Sequence, residues 1–198
     1  MTNRCQGRPV DRDLVIAVGK FDRFGPAAGK PSALVSAIAR KAADFKLSLE
    51  ERVAWVADLL AGADKSEEVA ALVVTHDTEL EAAREASELT LHASGRIACV
   101  VGTHRFGTTL GYESASVVVA QNPSMPVDPK DPSKGVYNKY TDCRYDSHVA
   151  CDLPAALSEL QTLEAGWGGR GDIFGSPQGI SSTLSIEQVI EVVSRHLK

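Results

Sequence analysis

The chain has 198 residues, of which 43% are hydrophobic and 24% are charged. These proportions are typical of a globular protein and exclude an intrinsically disordered chain. The formal net charge is −5, divided almost evenly into −3 over residues 1–94 and −2 over residues 95–198. This balance argues against binding of duplex nucleic acid through a basic surface. It favours a small phosphorylated ligand or a short single-stranded oligonucleotide that is held locally.

The sequence carries no signal for a membrane or for secretion. The first 13 residues are polar and lack the apolar segment of a signal peptide. No apolar run approaches the roughly 20 residues that a membrane-spanning helix needs. The cysteines form no Cys-x-x-Cys pair and have no spacing typical of a disulfide framework: they are Cys5, Cys99, Cys143 and Cys151. We therefore expect reduced thiols, a cytoplasmic location and no membrane partner.

The first part of the sequence is predicted to be mainly helical. A short apolar run at residues 14–18 is the exception and predicts a buried strand. Apolar residues at helical spacing over residues 31–45 predict a helix. A further helix is predicted to begin at the capping box that Ser48 forms with Glu51.

The last stretch before residue 95 is less uniform. The apolar run at residues 69–74 suits either a helix or a strand. Thr78 and Glu81 have the spacing of another capping box, which predicts a helix as far as about His92. Residues 1–94 are therefore interpreted as one mainly helical region.

The second part of the sequence predicts strands as well as helices. Three strands are predicted at residues 96–101, 115–120 and 136–145. The segment 122–135 contains four prolines and predicts a loop. Asp152 is predicted to cap a helix, and Ser185 with Gln188 is predicted to cap the final one.

The order of these elements predicts the fold class. We expect an α/β protein, with α+β as the alternative. A helical N-terminal part, residues 1–94, is followed by a small mixed-sheet domain, residues 95–198, in the order β-α-β-β-α-loop-α. The predicted boundary lies near Ser94 and Gly95.

A glycine-rich loop at residues 166–179 is the clearest candidate for a binding site. It reads Gly-Trp-Gly-Gly-Arg-Gly-Asp-Ile-Phe-Gly-Ser-Pro-Gln-Gly and contains six glycines. Glycines allow several backbone N–H groups to converge on phosphate oxygens, whereas a plain turn needs one or two of them. The candidate ligand-binding residues of the loop are Gly168, Gly169, Arg170, Gly171, Gly175, Ser176, Gln178 and Gly179. The competing interpretation is a tight connection in which the glycines serve only to turn the chain.

Three basic residues outside the loop could assist it. Arg144 lies on the predicted strand that precedes the loop by one helix, and arginine suits bidentate binding of phosphate. His104 and Arg105 follow the strand at residues 96–101, where ligands of α/β proteins commonly bind. Each could also be an ordinary surface residue.

The residues after position 95 resemble the DHH-associated domain, the substrate-binding C-terminal domain of DHH-family phosphoesterases. In that family a strand with a Ser/Arg-type motif leads to a helix, then to a Gly-Gly-Gly-His-x-x-Ala-Ala-Gly loop and a last helix. Here the strand carries Thr-Asp-Cys-Arg-Tyr at residues 141–145, and the loop carries Gly-Gly-Arg-Gly and Gly-Ser-Pro-Gln-Gly. The family's loop histidine is absent, with Arg170 and Asp172 nearby, and Ser176 and Pro177 replace the alanine pair.

The resemblance implies a two-domain phosphoesterase of which this sequence lacks the catalytic motif. The family hydrolyses phosphodiesters with two divalent cations, Mn or Mg, held by aspartates and by an Asp-His-His motif. That motif does not occur here. We therefore expect no catalytic or metal-binding residues and no cofactor in this chain, unless a DHH domain lies upstream. Residues 1–94 would be the tail of such a domain or a replacement for it.

Two hypotheses of function follow. In the first, the chain is the substrate-binding portion of a DHH-like phosphoesterase that acts on a short oligonucleotide, a nucleotide or polyphosphate. In the second, it is a stand-alone, non-catalytic module that binds a nucleotide or a phosphorylated metabolite. The sequence does not indicate the oligomeric state.

Overall fold

The structure is a computed structural model, and it describes residues 10–29, 31–144 and 151–198. The chain divides into two compact units, the first of which ends at Glu81 and the second of which begins at Ala82. Cys5 and Tyr145, which entered the sequence predictions, lie outside the described residues. The division into domains at residues 94 and 95 stays a prediction.

The first unit is built from helices. They are α1 (Arg12–Phe24), α2 (Ala33–Ala42), α3 (Leu49–Leu60) and α4 (Ser66–Glu85), with a 3-10 turn (Gly25–Ala28) after the first. The predicted capping box of α3 is confirmed, because the Ser48 hydroxyl accepts from the Glu51 N–H at 3.2 Å and the Glu51 carboxylate accepts from the Ser48 N–H at 2.8 Å. A small apolar core joins α2, α3 and α4 through Ala37, Ile38, Trp55 and Val69.

Residues 14–18 belong to helix α1, so the predicted buried strand is wrong. The helix begins after Asp11, whose carboxylate accepts a hydrogen bond from the backbone N–H of Leu14 at 3.0 Å. Leu14 and Val18 pack against the core of the first unit, whereas Ile16 is exposed. The burial thus follows the spacing of a helix, which a five-residue apolar run does not reveal by itself.

Thr78 lies inside helix α4, so the predicted capping box with Glu81 is wrong. Its hydroxyl donates to the backbone carbonyl of Val74 at 2.8 Å, as threonines in the middle of helices do. The helix ends before strand β1 (Ser87–His92), a segment that the sequence assigned to the helix. Pairing with a neighbouring strand decides this segment, since tertiary contacts override weak local preferences.

The second unit contains a mixed sheet, as the α/β prediction requires. Its other strands are β2 (Ile97–Gly102), β3 (Val117–Pro126), β4 (Val136–Arg144), β5 (Gly168–Gly169) and β6 (Ile173–Gly175). The strand order is β1-β2-β3-β4-β6-β5. Strands β2 and β3 are parallel and are connected through the short helix α5 (Gly107–Tyr112), whereas the other pairs are antiparallel.

Strand β3 is longer than predicted and takes in the start of the predicted loop. Its register with β4 shifts between Asn122 and Met125, which places Pro123 in a bulge. A bulge tolerates proline because the residue there need not donate to the neighbouring strand. The connection after β3 contains a 3-10 turn (Pro132–Lys134).

The two faces of the sheet bury different partners. One face packs against helices α6 (Leu153–Leu163) and α7 (Ile186–Arg195) in the main core. Tyr140 lies in this core, stacked on Trp167 with 5.9 Å between ring centroids. Successive side chains of a strand point to opposite faces of the sheet. On the face away from α6 and α7, Val118 and Cys143 form a smaller cluster with Tyr112 of α5.

The predicted starts of the last two helices are confirmed. The Asp152 carboxylate accepts from the N–H of Ala155 at 3.2 Å at the start of α6. Ser185 and Gln188 form a capping box at the start of α7, with hydrogen bonds of 3.3 and 2.8 Å. No helix in the described residues is both long enough and apolar enough to span a membrane.

Candidate functional site

The glycine-rich loop contains a β-hairpin that extends the sheet. Strands β5 and β6 pair with each other, and β6 pairs with β4. The backbone N–H of Arg170 donates to the Ile173 carbonyl at 2.7 Å, and that of Ser176 donates to the Tyr140 carbonyl at 3.2 Å. These two N–H groups are therefore engaged in the sheet rather than directed at a ligand.

Two glycines of the hairpin are required by close packing of the backbone. Gly169 has a φ of +154°, and a Cβ there would lie 2.5 Å from the Ile173 carbonyl oxygen. A Cβ on Gly175 would lie 2.6 Å from the Tyr140 carbonyl oxygen and 3.1 Å from Lys139 Nζ. The fold thus accounts for these two glycines without any ligand.

The remaining glycines of the predicted site lie in more open surroundings. Gly168 and Gly179 have no atom within 4 Å of an added Cβ, and Gly171 has only the Pro154 ring at 3.6 Å. Gly179 and the exposed Gln178 lie in the turn that follows the hairpin. Gly179 has a φ of +73°, which accounts for a glycine there without any ligand. Packing does not explain why positions 168 and 171 are glycine, and a ligand-binding role for the three stays a prediction.

Arg144 lies at the end of the sheet that also contains the tip of the hairpin. Its backbone N–H donates to the carbonyl of Asp172 at 3.0 Å. The exposed guanidinium of Arg170 lies 3.4 Å from the Asp172 carboxylate. We call this group, Arg144 with residues 170–172, the hairpin-tip edge. The sequence prediction that Arg144 lies beside the glycine loop agrees with this placement.

The opposite end of the sheet holds four other predicted residues together with two that the sequence did not single out, Asn122 and Lys139. The parallel strands β2 and β3 end there, and we call it the carboxyl edge: His104, Arg105, Asn122, Lys139, Gly175 and Ser176. Asn122 is paired with Lys139 across β3 and β4. The Asn122 side-chain amide donates to the carbonyl of Thr103 at 3.3 Å, and Lys139 Nζ donates to the carbonyl of Ser176. The first of these hydrogen bonds joins β3 to the residue that follows β2, and the second joins β4 to the residue that follows β6.

The structure therefore divides the predicted site between two ends of strand β4. Lys139 and Arg144 are five residues apart on this strand, which corresponds to about 16 Å. Gly175 and Ser176 lie with Lys139, whereas Arg170 and Gly171 lie with Arg144. One phosphate group is too small to contact both ends.

Lys139 is a partly buried lysine on β4. Burial lowers the pKa of its ammonium group, and the nearby Asp142 partly opposes that shift. A partly buried cation interacts with an anion more strongly than one fully in water does. The Ser176 hydroxyl lies close by and accepts from the Tyr140 N–H at 3.0 Å, which fixes the hairpin against β4.

The loop after β2 adds two basic side chains to the carboxyl edge. His104 Nδ1 accepts from the N–H of Phe106 at 3.4 Å, which leaves Nε2 as the donor of a neutral ring. The guanidinium of Arg105 is exposed and lies 4.9 Å from the Phe106 ring centroid. Sequence reasoning identified these two residues but missed Lys139 and Asn122. The available signal for Asn122 was its position directly after the valine-rich strand.

Asp142 is a buried carboxyl group in the main core. It is fully buried, and neither oxygen has a hydrogen-bond partner among the described residues. Burial raises its pKa well above the usual value for aspartate, although Lys139 acts in the opposite direction. Burial thus favours the neutral form of this carboxyl group over the charged one.

The described cysteines are buried and unsuited to reaction. Cys99, Cys143 and Cys151 are free thiols, and burial raises the pKa of each. For Cys143 the pKa rises to about 12. The thiolate, which is the reactive and metal-binding form, is thereby disfavoured.

The metal ions that the family resemblance implies do not fit the described residues. Within residues 10–29, 31–144 and 151–198, no three or more His, Cys, Asp or Glu side chains form a group that could hold a metal ion. Two-metal hydrolysis needs such a group for each cation. We derive no chemical step through a metal from these residues.

Comparison with known proteins gives a likeness of fold. No protein-family model and no curated protein matches the sequence. Among solved structures, the pGpG-specific phosphodiesterase PggH from Vibrio cholerae superposes with a TM-score of 0.51 at 14% identity, over 91% of this chain and 63% of that one. The DHH domain of a protein described as a member of a ribosomal-protein family has a TM-score of 0.46 at 12% identity, over 82% of this chain and 40% of its own. The chain thus spans less than two thirds of either protein, and what it shares with the phosphodiesterase is the fold.

Proposed function

We propose that this chain is the substrate-binding portion of a DHH-like phosphoesterase that acts on a small phosphodiester or phosphoanhydride. The ligand would be a short oligonucleotide, a nucleotide or polyphosphate. The observation that carries the proposal is the position of the partly buried Lys139 at the carboxyl edge, opposite Asn122 across β3 and β4. His104 and Arg105 lie in the loop that follows β2 at the same edge. This assignment moves the centre of the site from Arg144 to Lys139.

The chemistry of the carboxyl edge supports an anionic ligand. Lysine offers a cation, and the imidazole offers a hydrogen-bond donor. The Asn122 amide already donates to the Thr103 carbonyl and to Met125 Sδ, so it positions the loop after β2. Ligands of open α/β sheets bind beyond the carboxyl ends of the parallel strands, where the loops that follow them supply side chains. His104 and Arg105 lie in such a loop after β2, and Asn122 lies where β3 leaves its parallel partner.

The fold likeness supports a phosphodiester as the ligand class. The superposed protein is described as a pGpG-specific phosphodiesterase, and the likeness extends over 91% of this chain. The sequence resemblance to the DHH-associated domain leads to the same class through different observations, the strand motif and the glycine loop. In this proposal the metal-binding residues belong to a segment other than the described residues.

A titration of the dinucleotide pGpG into the full chain tests the site. We expect Lys139→Met, which keeps the aliphatic stem, to weaken binding about tenfold to a hundredfold, as expected for a lost charge-assisted hydrogen bond. Lys134→Met is the matched control, because Lys134 is an exposed lysine that pairs with Asp128. Equal affinity of the Lys139→Met variant and the parent chain would contradict the site.

The same titration with Arg144→Ala decides between the two ends of β4. Loss of affinity in this variant, together with unchanged affinity in Lys139→Met, would restore the hairpin-tip edge as the site. The second candidate function is a non-catalytic binding module. Because the proposed substrate-binding portion lacks metal-binding residues among the described residues, both functions predict pGpG binding without release of GMP when Mn²⁺ is added. Release of GMP by this chain would contradict both.

A further inference from the structure

Strand β1 lies at the edge of the sheet with one side unpaired among the described residues. Its neighbour in the sheet is β2, to which all six residues, Ser87–His92, are paired in an unbroken antiparallel register. Natural edge strands are usually protected by proline, lysine, a bulge or very short length, because an open edge pairs readily with another strand. The sequence of β1, Ser-Glu-Leu-Thr-Leu-His, has no proline, lysine or bulge, and Glu88 is its one acidic residue.

The edge strand also exposes apolar surface. Leu89 is 39% exposed and Leu91 is 53% exposed. Residues two positions apart in a strand lie on the same face, so the two leucines form one stripe along the edge. A second strand beside β1 would cover this stripe and satisfy the outward N–H and C=O groups at the same time.

We propose that β1 pairs antiparallel with β1 of a second copy of this chain, around a twofold axis at Thr90. In this register Glu88 lies opposite His92 of the other copy, and the symmetry repeats the pair on the other side of the axis. Leu89 lies opposite Leu91 in the same way. The result is a continuous sheet through two copies, formed by one self-complementary surface, as twofold symmetry requires.

The pairing of charged and of apolar side chains favours a second copy as the partner and favours this register. An axis at Leu89 would place Ser87 opposite Leu91 and leave His92 beyond the pairing. An axis at Leu91 would place Thr90 opposite His92 and leave Glu88 without an opposite residue in the strand. The axis at Thr90 matches an acidic residue with a basic one and leucine with leucine, and cross-strand pairs of both kinds stabilise a sheet.

The ring of His92 is held by a contact within its own strand. Its Nε2 lies 2.9 Å from the Thr90 hydroxyl, which orients the ring along the strand. Glu187, at the start of α7, also interacts electrostatically with His92. Because an acid titration would change that contact as well, the test reverses charges at fixed pH.

The experiment measures the molar mass of the full chain by sedimentation over a wide range of protein concentration. Pairing through one six-residue strand buries less than a standard interface, so the expected dimer is weak and concentration-dependent. We expect Leu91→Lys to remain a monomer throughout. Leu163→Lys is the matched control, because Leu163 is 52% exposed but lies on α6. A parent chain that remains a monomer at every concentration, or a Leu91→Lys variant that associates like the parent, would overturn the proposal.

A charge exchange tests the register itself. His92→Glu places glutamate opposite Glu88, and Glu88→Lys places lysine opposite His92. Each single variant should raise the dimer dissociation constant by roughly threefold to tenfold or more, since the pair occurs twice at the axis. The double variant Glu88→Lys/His92→Glu restores opposite charges and should return the constant to that of the parent chain. Additive weakening in the double variant would contradict the Thr90-centred register.

Discussion

The ammonium group of Lys139 donates a hydrogen bond to the backbone carbonyl of Ser176, and this contact ties strand β4 to the end of the glycine hairpin. Gly175 precedes Ser176, and a Cβ on it would lie 3.1 Å from Lys139 Nζ, so its missing side chain leaves room for the lysine. The contact fixes a partly buried cation at the carboxyl edge. It also gives the glycine loop a structural role that its sequence did not suggest, which is to hold the lysine in place.

Gly175 is expected to be intolerant of any side chain. In Gly175→Ala the new Cβ would lie 2.6 Å from the Tyr140 carbonyl oxygen and 3.1 Å from Lys139 Nζ, so the hairpin must shift. We expect a loss of about 1–3 kcal/mol in the free energy of unfolding by urea, together with weaker pGpG binding. Gly168→Ala is the control, because no atom lies within 4 Å of its added Cβ. Equal stability of the two variants would contradict the observed packing.

Asp142→Asn should stabilise the protein increasingly as the pH rises. The folded-state pKa of Asp142 is raised by burial, so above the usual aspartate pKa of about 3.9 the unfolded chain has released a proton that the folded chain retains. The stability of the parent chain therefore falls with rising pH up to the folded-state pKa. Asparagine removes this dependence while keeping the shape of the neutral acid.

The measurement for Asp142 is the free energy of unfolding of both proteins at a series of pH values. Asp172→Asn serves as the control, since that carboxylate is exposed at the hairpin tip. We expect the difference between Asp142→Asn and the parent chain to widen from acid to neutral pH. A constant difference, or one that narrows, would show that the carboxyl group is not held neutral in the core.

Glu164→Gln should destabilise the second unit. The Glu164 carboxylate accepts hydrogen bonds from the Trp167 indole at 2.8 Å, from the Ser182 hydroxyl at 2.7 Å, and from the N–H and hydroxyl of Thr183 at 2.6 and 2.9 Å. A glutamine has one acceptor oxygen for these four donors. We expect a loss of about 1–3 kcal/mol in the free energy of unfolding at neutral pH. Glu191→Gln, on the exposed side of α7, should have little effect.

The contribution of Glu164 should also disappear in acid. Burial raises its pKa, but the four hydrogen bonds outweigh that effect and leave the pKa below the usual value for glutamate. Its stabilisation is therefore complete above the unfolded-state pKa and is lost as the pH falls through the folded-state pKa. The parent chain and Glu164→Gln should approach the same stability at low pH. A gap that persists there would argue for a packing effect instead.

The described cysteines should react slowly in the folded protein. Burial raises the pKa of Cys99, Cys143 and Cys151, so little thiolate is present and reagents have poor access. In a Cys5→Ser background we expect a thiol reagent such as DTNB to label the three cysteines only after unfolding in guanidinium. Rapid labelling in native buffer would contradict the buried placement.

The sequence predicted best those elements whose signals are local. The capping boxes at Ser48 and Ser185 are present as predicted, because both partners lie within one helical turn and need no other part of the chain. The strand at residues 96–101 and the strand that carries Arg144 were also predicted correctly. Two elements with weak or ambiguous local signals were not predicted correctly. Helix α1 was mistaken for a strand, and β1 was mistaken for the end of a helix.

The candidate site shows the same division. The sequence by itself determined that a glycine-rich loop follows a strand and a helix, and that its composition suits an anionic ligand. Only the tertiary structure decided that the loop pairs as a hairpin with β4, that its N–H groups at Arg170 and Ser176 are engaged, and that Lys139 lies beside Asn122 at the carboxyl edge. The reason is physical: strand order and register bring together residues far apart in the chain, and they depend on which apolar faces are buried together rather than on local preference.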